Sequence, residues 1–554
     1  MKYILAGICV IAFILSIRFL FLPGYFPMHD DAQVARVVVM KKALLDGQFP
    51  VRWVSDLGYG YGYPIFEFYG PLPYYVGGVL ALVGMDSVMA TKTMMGFGVL
   101  LGVIGMFIAG KTFFGRFGGL LSVIAFTFFP YRAVQLFVRG AIGELWATSF
   151  LPFVIVGFYF LFQNSSRRKG LFLGIFGLTG VLLSHTVLGL VTTLGILGCL
   201  TMYGVYTWLR KTWNWPLFLT MGSVVVLSID LAAFFLLPAF FEMGATNVSS
   251  VIGPTADFRK HFVCISQFWS SQWGFGGSTD TCVDGMSFQL GKMHILLVLV
   301  SIIVFATTLA HRWKRYSRIW YSICLVCALA SIFFMTSMSQ PLWELFPYIS
   351  FVQYPWRLLS ISGVFIGLTI GALGSKMAPL WAKISGLVGI IILGIVSLPL
   401  FTPQYTFGRS TQAFEDMTEL RFRASRVSDE YLPKDFIKPT DEGGIARTRV
   451  SPTDTIDVTV LSEKSISGEY ELRVKKDSEL TLSLAYFPGW TFMLDGENVI
   501  PRIENGKPVM VLSEGTHHLT LQFKDTPVRR VANVLSLVTL IVLPFLFYGK
   551  KEKR

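Results

Sequence analysis

The chain has 554 residues, 53% hydrophobic and 15% charged, with a net charge of +13. Long apolar runs recur at near-regular intervals, which excludes an ordinary soluble domain and defines a polytopic membrane protein. The positive charge falls in short clusters between those runs, as orientation in a bilayer requires, so a nucleic-acid partner is excluded.

In chain order, spans are expected at 3–22, 88–112, 117–131, 145–163, 170–185, 187–209, 216–239, 293–311, 319–337, 358–375, 379–401 and 531–548. That makes about twelve helices. The first lacks a small-residue cleavage site and reads as a retained helix rather than a removed signal. The apolar run 72–84 is left out, because about 13 residues are too few for ~30 Å of hydrocarbon. Counting it would also turn Lys111 and Arg116, with most of the later basic clusters, to the outside. It is expected as a juxtamembrane or re-entrant helix of a first external loop, 23–87. The clusters Lys111/Arg116, Arg167-Arg168-Lys169, Arg210-Lys211, 312–318, Lys376/Lys383 and 550–554 are then cytoplasmic, with both termini.

Residues 1–401 form the expected membrane core and 402–527 an external soluble segment, followed by an anchor and basic tail at 528–554. From about 450 the soluble segment alternates apolar and polar residues, as in 456–460, 470–474, 480–484 and 519–523. Such alternation predicts a small antiparallel β-sandwich, with Asp495-Gly496 as a hairpin turn. Adjacent strand residues point to opposite faces, so His517-His518 reads as surface histidines in preference to a metal pair. Cys264 and Cys282 share an external loop and are disulfide candidates, whereas Cys9, Cys199, Cys324 and Cys327 lie in apolar helices. Phosphate-loop and nucleophile-elbow signatures are missing, so any energy for synthesis comes with the substrate.

The residues that can carry chemistry sit in the external loops. His29-Asp30-Asp31 precedes a helical run, 32–45. One aspartate can cap that helix, but two adjacent carboxylates repel, which raises one pKa and suits a general base. The loop continues with Arg52-Trp53, an aromatic and glycine-rich run through Tyr59, Tyr61 and Tyr63, and then Glu67 and Tyr69. These are candidate substrate-binding groups, the rings as platforms for a sugar. The second external loop brings Arg139 and Glu144, and a later one brings Arg357 beside Trp356. Arginine outside runs against the positive-inside trend, so anion binding or ion pairing accounts for it. His185 either reaches the site or is a structural histidine, and Asp230 is an acid within an apolar helix. Asp30, Asp31, Glu67 and Glu144 with Arg52, Arg139 and Arg357 are expected on one external surface. There they read as a carboxylate base with cations for an anionic leaving group.

At these residues the chain resembles the bacterial membrane proteins labelled "6-pyruvoyl-tetrahydropterin synthase-related", a label that brings no pterin chemistry with it. The resemblance rests on the His-Asp start, Phe49-Pro50-Val51-Arg52-Trp53, Gly60-Tyr61-Gly62-Tyr63-Pro64 and Phe68-Tyr69-Gly70-Pro71-Leu72-Pro73-Tyr74-Tyr75. Arg139-Gly140-Ala141 with Glu144 is part of it. Tyr486-Phe487-Pro488-Gly489-Trp490, Asp495-Gly496 and Gly515-Thr516-His517 are similar to the YfhO-type membrane proteins. Both groups are related to the GT-C superfamily of lipid-dependent glycosyltransferases. The resemblance implies a GT-C-like fold in which Asp30, with Asp31 adjacent, matches the first-loop base and Glu144 the second-loop acid. A divalent cation, Mg or Mn, is used by some members and stays open here.

The expected function is sugar transfer from a polyprenyl-phosphate donor to a glycan or lipid hydroxyl, at the outer face of a prokaryotic cytoplasmic membrane. The alternatives are a transporter or flippase of a lipid-linked glycan, which would use charges such as Asp230 along a path, and a non-catalytic scaffold for envelope assembly.

Overall fold

In a computed structural model the described residues are 2–163, 165–248, 256–309, 315–346, 351–375 and 378–548. Residues 312–314 of one expected cytoplasmic cluster, Lys376 and the basic tail 550–554 lie outside them. Helix occupies each of the expected spans. By length and apolarity alone, eight described helices can cross a membrane, or nine if the bent pair Trp215–Leu231 and Ala233–Phe241 is one span. The smaller count has three local causes. The stretches 88–112 and 117–131 join into one 41-residue helix, Ser87–Thr127, broken at Gly115 where φ is 84°. Arg167–Ser184 opens on three basic residues. Lys292–Val304 has only 13 residues before it loosens into a π segment, Phe305–Leu309. The run at 72–84 folds as the 11-residue helix Leu72–Leu82, about 16 Å long and too short to span.

Backbone contacts group the chain into two units. The first comprises Met1–His29, Lys92–Ile229 and Pro254–Gly408. Its interior is built on two spans, Ile142–Phe162 and Pro355–Gly374, each 83% buried against 33% for Tyr3–Phe21. Beyond the charged residue in the first turn of each, both are largely apolar on every face, which suits a helix enclosed by other helices. Cys264 and Cys282 of this unit are joined by a disulfide with Cα atoms 5.7 Å apart, while Cys9, Cys199, Cys324 and Cys327 are free.

The second unit comprises Asp30–Thr91, Asp230–Gly253 and Arg409–Arg554. It holds the loop helices Gln33–Leu45 and Leu72–Leu82, the last helix Pro527–Tyr548 and eight strands. These are β1 (Ile456–Lys464), β2 (Ser467–Val474), β3 (Ser478–Thr481), β4 (Trp490–Leu494), β5 (Glu497–Val499), β6 (Arg502–Glu504), β7 (Lys507–Leu512) and β8 (Gly515–Phe523). Two antiparallel sheets form, β1-β2-β8-β4-β5 and β3-β7-β6. Period-two alternation buries Tyr470, Leu472 and Val474 of β2 and Leu519 and Leu521 of β8. Asp495 and Gly496, with φ of 55° and 85°, make the two-residue turn between β4 and β5, the geometry that favours this dipeptide.

Candidate functional site

The membrane unit carries a cluster built on one carboxylate. Glu144 lies in the first turn of Ile142–Phe162, where the helix dipole favours an anion, and is 1% exposed. Arg139 reaches it from the end of the π segment Val134–Val138. Gly140 follows with φ of 63°, and a Cβ there would meet Met28 Sδ at 2.2 Å, so the sharp turn needs glycine. Arg139 Nη1 donates to Glu144 Oε2 at 2.8 Å and to the Tyr131 hydroxyl at 2.8 Å. The same carboxylate oxygen accepts from Tyr131 at 3.1 Å and Ser360 at 3.4 Å. Arg357 comes from the 3₁₀ turn Pro355–Leu358, where proline presets the first residue, and its Nε lies 3.4 Å from Glu144 Oε1. Arg357 Nη1 donates to the Val352 carbonyl and to Gln353 Oε1, both at 2.9 Å.

Each guanidinium lies on a ring. Arg139 is 4.5 Å from the Trp356 centroid and Arg357 is 4.9 Å from Tyr354, and those two rings stack at 5.0 Å. Phe288 stacks on Trp356, and His261 meets Tyr354 edge-on. Among the described residues, Nη2 of both arginines and Nε of Arg139 donate to no protein acceptor. Two cations on one buried anion leave a net positive charge and unfilled donors in fork geometry, which suits a phosphate.

His185 joins Arg167–Ser184 to Thr186–Leu209. Its Nδ1 accepts from the Leu188 amide at 3.2 Å, which puts the ring proton of the neutral form on Nε2. The ring lies against the turn that carries Glu144, since a Cβ at Gly143 would be 3.3 Å from His185 Cδ2. The exposed His29 ring pairs through Nε2 with the Phe275 carbonyl at 2.8 Å, and its amide bonds the Val138 carbonyl at 3.0 Å. Arg132, a cation of the same loop, is buried and donates to the Leu145 carbonyl, Thr148 and Ser149 within the bundle.

The second unit carries Asp30. Neither aspartate caps the following helix, Gln33–Leu45; its N-cap is Ala32 and has no side-chain cap bond. Instead Asp30 Oδ2 accepts from Arg36 at 2.6 Å, Gln33 at 3.0 Å and Tyr69 at 3.1 Å. Asp30 is 25% exposed and Arg36 only 1%. Asp31 is exposed and makes no hydrogen bond or ion pair among the described residues. Surrounding protein, with the carboxylates of Glu419 and Asp30, nonetheless pushes its carboxyl up to about 7, against the pull of Arg409.

Three expected substrate-binding groups are corrected. Trp53 is 0% exposed and packs on Phe487, Trp490 and Phe523 at 5.5–6.1 Å, so it fills the sheet core and offers no open face to a sugar. Arg52 is buried, donating to the Phe234 carbonyl at 2.9 Å and Asn533 at 2.7 Å, with Asp525 at 3.5 Å. Glu67, also 0% exposed, pairs with fully buried Arg529 at 3.1 Å, and Arg529 pairs with Glu242 at 2.6 Å. Tyr59 and Tyr63 are likewise buried, so of the expected ring platforms only Tyr61 and Tyr69 keep part of their surface. Arg36, Tyr74, Glu242 and Arg529 were not legible as partners, since Glu67 and Arg529 lie 462 positions apart and no local pattern links them. Arg36 falls in the first turn of a helical run, where its apolar neighbours give the only hint of burial. Among the described residues, no group of three or more His, Cys, Asp or Glu side chains is arranged to hold a metal ion.

No family model matches the sequence. The chain is 27% identical over 351 residues to an uncharacterized protein of Lactococcus lactis subsp. cremoris (strain MG1363), covering 60% of this chain and 54% of that protein. It therefore spans about half the length of that curated relative. In structure it is similar to arabinofuranosyltransferase AftD from Mycobacteria, at 13% identity and a TM-score of 0.41, over 74% of this chain and 28% of AftD. It is similar to the Archaeoglobus fulgidus oligosaccharyltransferase at 13% identity and a TM-score of 0.45, over 82% of this chain and 61% of that one. It is also similar to ArnT from Cupriavidus metallidurans bound to undecaprenyl phosphate, at 13% identity and 0.32, over 70% and 77%. The chain is a multi-pass helical membrane protein with a small antiparallel sheet domain ahead of its last apolar helix.

Proposed function

We propose that the protein is a GT-C-type membrane glycosyltransferase that moves a sugar from a polyprenyl-phosphate donor to a hydroxyl of a cell-envelope glycan or lipid. The observation that carries the reading is the Arg139–Glu144–Arg357 cluster, whose unfilled guanidinium donors fit a phosphate in a helical membrane unit. Asp30 is the general base and takes the acceptor proton on Oδ1, since Oδ2 is already filled. The acceptor oxygen attacks the anomeric carbon as the bond from that carbon to the phosphate oxygen breaks. The bonding pair leaves with the phosphate, and within the membrane unit Arg139 and Arg357 are the groups suited to hold an anionic lipid phosphate. Glu144 acts through the arginines, because its carboxylate is enclosed by them. The short basic clusters between apolar runs support the reading that both termini are cytoplasmic and that the site and sheet domain face outward, from a prokaryotic inner membrane in this proposal.

The test is transfer of labelled sugar by the full-length chain in lipid nanodiscs. The donors are a panel of undecaprenyl-phosphate-linked hexoses and pentoses, and the acceptor is an envelope extract of cells lacking the gene. Asp30→Asn is expected to lower transfer by roughly 10²–10⁴-fold at unchanged protein level. Full activity in Asp30→Asn would refute the base assignment.

The flippase reading is favoured by one observation. Asp230 lies next to the 73° bend between Trp215–Leu231 and Ala233–Phe241, and its side chain has no hydrogen bond among the described residues. That reading predicts movement of an intact lipid-linked glycan across proteoliposomes with no sugar transferred, abolished by Asp230→Asn.

A further inference from the structure

We propose that Arg36 and Tyr69 are positioning residues that clamp one oxygen of Asp30 so that the other takes the acceptor proton; the inference rests on the glycosyltransferase reading. Three donors meet on a single atom, Oδ2: Arg36 Nη1 at 2.6 Å, Gln33 Nε2 at 3.0 Å and the Tyr69 hydroxyl at 3.1 Å. Among the described residues none is directed at Oδ1, while Asp30 keeps a quarter of its side chain exposed. A carboxylate serving only as a structural counter-ion to a buried arginine would be expected to engage the fork with both oxygens. This one is held by one oxygen and presented by the other.

The clamp is itself held. The Arg36 guanidinium lies 4.3 Å from the Tyr69 ring and 5.8 Å from the Tyr74 ring. The Tyr74 hydroxyl donates to Gln33 Oε1 at 2.6 Å, which fixes the amide so that its nitrogen faces Asp30. Tyr69 and Tyr74 come from the end of the aromatic run and from the short helix Leu72–Leu82. Gln33 and Arg36 come from the first turn of Gln33–Leu45. Tyr69 and Tyr74 of the first loop therefore serve the carboxylate, whatever they do for a sugar.

A hydrogen bond to a charged group is worth about 1.5–3 kcal/mol, roughly a 10- to 100-fold effect. In the transfer assay above, Tyr69→Phe is expected to lower kcat about tenfold with KM for the donor unchanged. Arg36→Gln should lower kcat further, and Arg36→Lys should recover part of that loss, since charge is kept but the fork and the ring stacking are not. Against Asp30→Asn, Tyr69→Phe should cost nothing more, because the oxygen it positions no longer accepts a proton. Melting temperatures of Tyr69→Phe and Arg36→Lys in the nanodiscs separate clamping from folding. Transfer by the wild type, lost in Asp30→Asn yet within twofold of wild type in Tyr69→Phe and Arg36→Lys, overturns the clamp alone. Additive losses in the Asp30→Asn background would also overturn it. No transfer by the wild type from any donor overturns the underlying reading, and the clamp with it.

Discussion

At the residue scale the two candidate carboxylates have opposite settings. Asp30 is anchored on one side and open on the other, whereas Glu144 is closed on both. Both acids stood out in the sequence, since an acid beside a long apolar run has few bland explanations. Their roles did not. Sequence spacing does not reveal that Arg139, Tyr131 and Ser360 share one Glu144 oxygen, because Ser360 lies 216 positions away. If Glu144 acts by holding two guanidinium groups apart, Glu144→Gln leaves those charges buried beside a neutral amide. Thermal unfolding in detergent should then show a loss of ~3–5 kcal/mol, together with weaker retention of the lipid donor. An unchanged melting temperature with a pure loss of kcat would instead make Glu144 a direct participant.

Buried charge and covalent closure tie segments together at the element scale. Burial pushes the Glu67 carboxyl from 4.5 up to about 8, beyond what the Arg529 guanidinium pulls it down, and its hydrogen bond to Glu242 adds to the rise. Burial also raises Glu242, but the bond to Glu67 and the charge of Arg529 outweigh it and hold that carboxyl below its usual range. Near neutral pH the pair then holds one proton and presents one negative charge to one arginine. Because folding raises the Glu67 value, its contribution to stability is complete below 4.5 and is lost as pH climbs through 8. The wild-type melting temperature should therefore fall between pH 5 and pH 8.5 more steeply than that of Glu67→Gln, which mimics the protonated form. Equal slopes would show that Glu67 does not titrate in this window.

The second tie is the disulfide that closes 264–282. From that loop the Phe275 carbonyl receives His29, and beside it His261 and Phe288 pack on Tyr354 and Trp356, the rings beneath the two arginines. Replacing both cysteines with serine should cost about 3 kcal/mol of stability, measured as a fall in melting temperature absent under reducing conditions, where both proteins unfold alike. Strand alternation and the Asp495-Gly496 turn were readable in advance, because period two and a positive-φ turn are local properties. The burial of Trp53 against Phe487, Trp490 and Phe523 was not. Composition distinguishes an aromatic residue from an aliphatic one but not a ring in a sheet core from a ring under a sugar.

For the whole molecule, the membrane class and the positions of the helices followed from apolar run length, the property most directly set by hydrocarbon thickness. The grouping of contacts was less accessible. The first loop, the bent segment after Ile229 and the C-terminal sheet with its anchor form one unit, assembled from three separate stretches of chain. Its buried ion pairs, Arg529 with Glu67 and Glu242, join residues hundreds of positions apart and leave no periodic trace. The proposed function turns on a lipid phosphate held by Arg139 and Arg357. The most direct measurement is a cryo-electron microscopy structure of the full-length protein in nanodiscs containing undecaprenyl phosphate. The phosphate is expected within hydrogen-bond distance of Nη2 of both arginines, and is expected to be lost from that position in Arg139→Ala/Arg357→Ala. A phosphate bound away from both, or none at saturating lipid, would contradict the proposal.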